Sequence, residues 1–283
     1  MSASCGGMCC VLTVATANVN GIRAAFRRNM DAWIAARTPD ILLLQEVRAP
    51  DELVHEYLEG WHVAHLPSDL KGRAGVAVAS RLPLHAVRTG LAAHGPAGEQ
   101  EPPVDTGRWV EADVELPDGG LLTVVSAYLH SGSSAPGQEH TMAAKYAHLD
   151  KVTARLAELA AAEHPAVVAG DLNIAHRNED IANWKGNLKS AGFLPQERAY
   201  VDRWLDELGW SDLGRAHGGE GPGPYTWWSW RGQSYVNDRG WRIDYQLANA
   251  VLAPRAVKVE VDRAPTYEER WSDHAAVVAT YDL

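Results

Sequence analysis

Cysteine is almost absent from this sequence. Only Cys5, Cys9 and Cys10 occur among 283 residues, all within the first ten positions. With none further along, no disulfide framework is available, and no second cysteine pair or nearby histidine completes a zinc site. No apolar run approaches the roughly 18 residues that cross a bilayer, which excludes a membrane-spanning helix. The first residues carry no charged stretch ahead of an apolar one, so they do not read as a secretory signal. Positive charge is short as well. Lys and Arg number 26 against 36 Asp and Glu, for a net charge of −10. Coating nucleic acid by bulk charge is thereby excluded, and any contact with a polyanion must come from a local basic face. There is no Gly-x-Ser-x-Gly turn and no cysteine beyond the tenth residue, so serine and cysteine nucleophiles find no support. Together these absences suit a reducing cytoplasm.

Apolar residue types make up 46% of the chain and charged ones 22%, with signs mixed. That composition can bury a large core and argues against global disorder. Residues 1–10, small and Gly-rich, read as a frayed tail, and 11–283 as one domain. Apolar and β-branched runs predict strands at 11–17, 41–44, 61–66, 74–79, 109–116, 121–127, 166–169, 225–230, 241–248, 255–261 and 275–281. The runs at 41–44 and 166–169 are apolar throughout, as in strands covered on both faces. Helical spacing predicts helices at 23–37, 51–58, 138–163 and 197–208, and 94–107 reads as a surface loop. Strands and helices mix without strict alternation, which points to stacked sheets flanked by helices.

Polar residues recur at strand ends. Asn18 and Asn20 follow the first strand, Glu46 the second, and Asp171 and Asn173 the run at 166–169. Asp273 and His274 precede the last strand. One such residue is ordinarily a helix cap or turn former. Four such places in one chain point to an active centre on a rigid scaffold. The residue types fit phosphodiester hydrolysis, which needs charge on non-bridging oxygens, an activated water and help for the departing oxyanion. Carboxylates such as Glu46 and Asp273 suit a hard cation, Mg²⁺ or Mn²⁺. Asp171 can take a proton from water, and His274 can donate to a phosphate oxygen.

Several blocks carry a family resemblance. Asn18-Val19-Asn20-Gly21-Ile22-Arg23, Leu44-Gln45-Glu46 and Gly170-Asp171-Leu172-Asn173-Ile174 resemble motifs of exonuclease III-like abasic (AP) endonucleases. So do Tyr225-Thr226-Trp227-Trp228-Ser229-Trp230-Arg231, Gly240-Trp241-Arg242-Ile243-Asp244-Tyr245 and Ser272-Asp273-His274. Six in order span nearly the whole chain. The resemblance implies a DNase I-like four-layer α/β sandwich, with two packed β-sheets flanked by helices and the active centre at one rim. It implies that Glu46 binds the metal with Asn20 and Asp273 nearby, and that Asp171 is the general base. Asn173, Asn18 and His274 would hold the scissile phosphate, Asp244 would orient His274, and Tyr128 would touch phosphate. The family commonly reads Tyr-x-Pro-x-Gly at this last point. Here it is Tyr128-Leu129-His130-Ser131-Gly132, and losing the proline's fixed φ is expected to loosen or redirect the loop. With Asn rather than Asp at position 20, a single metal is expected.

By the same resemblance, Trp227, Trp241 and Ile243 form a pocket for an extruded sugar that lacks its base, where a normal nucleotide would clash. Trp228 and Trp230 are read as core or support. Arg23, Arg73, Lys145, Lys185, Arg231 and Arg242 cluster near the motifs and are expected to follow DNA phosphates. The expected activity is metal-dependent cleavage of double-stranded DNA 5′ to abasic sites, with 3′→5′ exonuclease, 3′-phosphodiesterase and 3′-phosphatase action on blocked ends. The expected form is a monomer without a membrane partner. The alternatives are a fold relative acting on small phosphoesters or lipid headgroups, and a catalytically silent DNA-binding protein.

Overall fold

A computed structural model describes residues 11–95 and 99–283. The expected frayed tail lies outside the described residues. Twelve strands form two sheets of six among these residues. The first sheet contains β1 (Val11–Asn18), β2 (Ile41–Gln45), β3 (His62–Leu66), β4 (Val76–Ser80), β11 (Ala256–Asp262) and β12 (Ala276–Asp282). Its order is β11-β12-β1-β2-β4-β3. The second contains β5 (Leu84–Thr89), β6 (Trp109–Glu115), β7 (Leu121–Tyr128), β8 (Ala166–Asp171), β9 (Ser211–Asp212) and β10 (Asp244–Ala248), in the order β5-β6-β7-β8-β10-β9. Each sheet has one parallel pair at its centre, β1 with β2 and β7 with β8, and antiparallel neighbours elsewhere.

The side-chain period of two explains the layering. Leu12, Val14, Ile41 and Leu43 turn inward and meet Val110, Val124, Val167 and Ala169 of the other sheet. The alternate residues Ala15, Ala17, Leu42 and Leu44 pack outward against α1 (Ile22–Phe26), α2 (Met30–Arg37) and α3 (Asp51–Tyr57). On the far side, Val125, Ala127 and Val168 pack under α4 (Glu139–Ala161) and α5 (Pro195–Asp202). The result is the helix–sheet–sheet–helix sandwich that the resemblance implies. No helix of the described residues is long and apolar enough to cross a membrane.

Near the site, the core between the sheets is polar. Gln45 Nε2 donates to Ser126 Oγ at 2.9 Å, and Ser126 Oγ donates to the Leu44 carbonyl at 2.8 Å. Gln246 Nε2, on β10, donates to the carbonyls of Val14 and Val277, both at 2.9 Å. Buried hydrogen bonds demand particular partners where apolar contacts do not. They therefore fix how the strand ends of one sheet face those of the other.

Three expectations are corrected. The helix expected over 23–37 is two helices, because Asn29 adopts a left-handed φ of 66° between them. The strand expected over 225–230 is an irregular segment with single bridges only, as it crosses from one sheet's rim to the other's. The edge strand β5 was not expected; its side chains are mostly exposed, so no alternation of apolar residues marks it.

Candidate active site

The parallel pairs decide what the rim carries. In β1 and β2, Asn18 lies opposite Gln45, and Glu46 follows directly. In β7 and β8, Tyr128 lies opposite Asp171, which also lies opposite Asp244 at the start of β10. Four parallel-paired strands thus end at one place, and the antiparallel neighbours β10 and β12 begin there. Asp244 opens β10, and His274 stands two residues before β12.

Glu46, Asp171 and His274 come from three distant segments, yet each offers a ligand atom within 4.8 Å of the others. Asn18 is the strut between the sheets. It is fully buried, and its Nδ2 donates to Glu46 Oε1 and to Asp171 Oδ2, both at 2.9 Å. Its Oδ1 accepts from the Asn20 backbone N–H at 3.0 Å. The expectation that Asn18 holds phosphate is therefore corrected: both amide hydrogens are engaged by the carboxylates, and the side chain does not line the cavity. Tyr128 donates from its hydroxyl to Glu46 Oε1 at 2.8 Å. Asn20 donates to Asp273 Oδ1 at 2.8 Å, and Trp227 Nε1 donates to Asp273 Oδ2 at 3.1 Å.

His274 is buried between two acids. Its Nδ1 is 2.9 Å from Asp244 Oδ2, and its Nε2 is 3.9 Å from Asp171 Oδ2. Burial opposes its charge, but Asp244, Asp171 and Asp273 more than offset that and raise it to about 10. Burial pushes the Asp171 carboxyl up to about 7; the His274 charge pulls the other way, and Asp244 and Glu46 add to the rise. An imidazolium beside a carboxylate made more basic than usual by burial is a set suited to moving protons.

Backbone strain marks the same residues. Asn20, Glu46, Arg48 and Asn173 all have φ between 46° and 52°. Asn visits this region readily, but Glu and Arg seldom do, and such outliers gather where geometry is imposed for function.

These side chains open onto a cavity of about 340 Å³ with a polar lining of Asn20, Glu46, Tyr128, Asp171, Asn173, Asp273 and His274 and an apolar lining of Trp227, Trp241 and Ile243. Trp227 is wedged by single bridges between Trp241 and His274, and the two indoles meet edge-on at 6.3 Å. Arg48 also lines the cavity and pairs with Glu46. The sequence reading missed it, since nothing in a lone Arg two residues past Glu46 marks it out. Arg48 also borders a second groove, of about 790 Å³, lined by Arg23, Arg27, Lys71 and Arg73.

Not every expected basic residue faces out. Arg23, Arg73, Lys185 and Arg231 are exposed. Arg242 is not: its guanidinium is 1% exposed and donates to both Asp180 and Asp212. Lys145 is fully buried against Glu197 at 2.5 Å. Both are corrected as DNA contacts, because their charges are already neutralised inside the fold. Because His130 is not proline it keeps an N–H, which donates to His148 Nδ1 at 3.3 Å.

Over residues 15–274 the sequence matches the model of the endonuclease/exonuclease/phosphatase family. The chain belongs to this family. Exodeoxyribonuclease III of Haemophilus influenzae is 30% identical over 277 residues, covering 93% of this chain and 97% of the relative. That places the chain in the exonuclease III-like branch. The DNA repair nuclease APEX1 of Danio rerio is 31% identical, over 84% of this chain and 73% of that one. Among solved structures, an AP endonuclease from Archaeoglobus fulgidus superposes with a TM-score of 0.80 at 27% identity, over 96% of this chain and all of the other. A 3′-phosphatase from Neisseria bound to a product DNA hairpin gives 0.76 at 28%, with the same coverage. Family members are metal-dependent nucleases, and the described residues hold one cluster whose ligand atoms lie close enough for an ion, Glu46 and Asp171 with His274; its carboxylate oxygens suit a hard cation.

Proposed function

We propose that this family member is a DNA repair phosphodiesterase that cuts the backbone 5′ to abasic sites and trims blocked 3′ ends, as a monomer in the cytoplasm. One observation carries the reading: a carboxylate pair and an imidazole from three distant segments meet within 4.8 Å, in a cavity that two tryptophans also line. Acids and an imidazole so arranged serve in-line displacement at phosphorus, and the apolar wall suits a sugar without its base.

In this reading Asp171 accepts the proton of the attacking water, helped by a carboxyl already raised by burial. His274, held by Asp244 through Nδ1, presents Nε2 to a phosphate oxygen. Asn173, which lines the cavity, holds the phosphate from the side. Tyr128 and Asn18 fix Glu46 from two directions. Glu46, with Asn20 and Asp273 beside it, would hold Mg²⁺ or Mn²⁺, which when bound supplies positive charge to the non-bridging oxygens.

A duplex with one abasic-site analogue, incubated with Mg²⁺ or with EDTA, tests this. The expected result is metal-dependent cleavage 5′ to the lesion. Turnover of a soluble phosphomonoester or lipid headgroup without DNA cleavage would shift the assignment to small phosphoesters; binding without cleavage would make the protein a silent DNA binder. Glu46→Gln is expected to raise the Mg²⁺ concentration needed for half-maximal cleavage, and an unchanged titration removes Glu46 from the metal.

A further inference from the structure

Lys145, on α4, is fully buried beside the site. Its Nζ donates to the Asn173 carbonyl at 2.9 Å and to the Ser131 carbonyl at 3.0 Å, while pairing with Glu197. Those carbonyls belong to two separate loops that line the cavity: one carries Asn173, the other follows Tyr128. Glu197 in turn accepts from the backbone N–H groups of Gly192, at 2.7 Å, and Leu194, at 2.9 Å. Gly192 lines the cavity as well, and a Cβ there would sit 3.2 Å from Trp241. The packing along the Lys145 stem is tight: a Cβ on Gly132 would lie 2.5 Å from Met142 Sδ and 3.2 Å from Lys145 Cδ. One turn along the same helix face, His148 accepts the His130 N–H.

We infer that Lys145 is a positioning residue: one buried ammonium ties the Asn173 loop and the Ser131 loop to α4, and through Glu197 ties the Gly192 loop that backs Trp241. A buried lysine is costly to desolvate, and hydrophobic replacement of a buried ion pair is often neutral for stability. A pair kept only for stability therefore has a cheap apolar substitute. Two carbonyl contacts on two site loops give this pair a different use. Holding reacting groups to within an ångström is worth roughly a hundredfold in rate.

The inference rests on the nuclease reading, so wild-type cleavage of the abasic duplex is measured alongside. Lys145→Met alone strands Glu197 as an unpaired buried charge and is expected to unfold readily. The informative pair is Lys145→Met with Glu197→Gln, and Lys145→Gln with Glu197→Gln. Neither leaves a buried charge, and in both the Glu197→Gln change keeps an amide oxygen for Gly192 and Leu194. Only the double with Lys145→Gln still offers an N–H to the two loop carbonyls. The expected outcome is that the Met double loses about tenfold or more in kcat with KM for DNA nearly unchanged, and that the Gln double recovers part of that loss. Amide hydrogen exchange at residues 172–174 is expected to speed up more in the Met double. Equal kcat in both doubles, at wild-type level, would overturn the positioning role. So would failure of both doubles to fold, since that would assign the pair to stability. A wild type inert on every DNA substrate would instead sink the nuclease reading itself.

Discussion

The two sides of the cavity are built in opposite ways. The polar side is anchored by strand ends in register beneath it: Asn18 opposite Gln45, Tyr128 opposite Asp171, Asp171 opposite Asp244. The apolar side comes from two segments: Trp227 and Trp241 are joined by a single bridge, and Ile243 immediately precedes β10. Sheet register leaves little room for error, as befits groups that must meet at one phosphorus atom. The wall needs only shape and apolar surface, so an irregular segment suffices. Trp227 belongs to both sides, because its Nε1 donates to Asp273 while its ring faces the cavity.

The sharpest way to separate the sides is Asp171→Asn. On the proposed assignment it removes the base while keeping the side chain's size, and is expected to lower kcat by roughly 10²- to 10⁴-fold with DNA affinity retained; wild-type turnover would show that another group takes the proton. On the proposed function, Trp227→Ala is expected to cost about tenfold or more in abasic cleavage but less in 3′-phosphatase activity. Equal losses would mean that the indole acts through Asp273 alone and that the division into two sides fails. At the outer rim the effect shrinks further. Arg73→Ala is expected to weaken DNA binding several-fold and to reduce the slope of log affinity against log salt by about one; an unchanged slope would take Arg73 off the phosphate path.

The smallest effect concerns stability beneath the polar side. Burial, with Arg108 nearby, lowers His148 to about 3 and His130 to about 4, against an ordinary 6.5. The folded chain thus keeps both neutral where the unfolded chain would be protonated. Their contribution is whole above about pH 6.5 and is lost as pH falls from there through 4 toward 3. His148→Gln, which keeps an acceptor for the His130 N–H, is expected to flatten the decline of Tm between pH 7 and pH 4, read by thermal unfolding. An identical decline would place the acid sensitivity elsewhere.

The polar side was largely legible beforehand. Glu46, Asp171, Asn173, Asp273 and His274 each stand at the end of a short buried strand, and that position is a local property of the chain. The basic residues were legible only as a crowd. Lys145 and Arg242 look no different in sequence from Lys185 and Arg231, because the acids that neutralise them, Glu197 and the pair Asp180 and Asp212, lie 30 to 62 positions away. Asn18 is a similar case: its strand position is local, but its use depends on Asp171, 153 residues on.

Sequence alone thus determined the strand ends, the chemical types placed on them and the family to which they point, since period, turn residues and motif order are all short-range. Tertiary structure alone decided which amide became a strut, which cations were swallowed and which stayed on the rim. Those outcomes depend on how one sheet is turned on the other, and that is set by buried cross-sheet bonds from Gln45, Ser126 and Gln246 whose partners no local window contains.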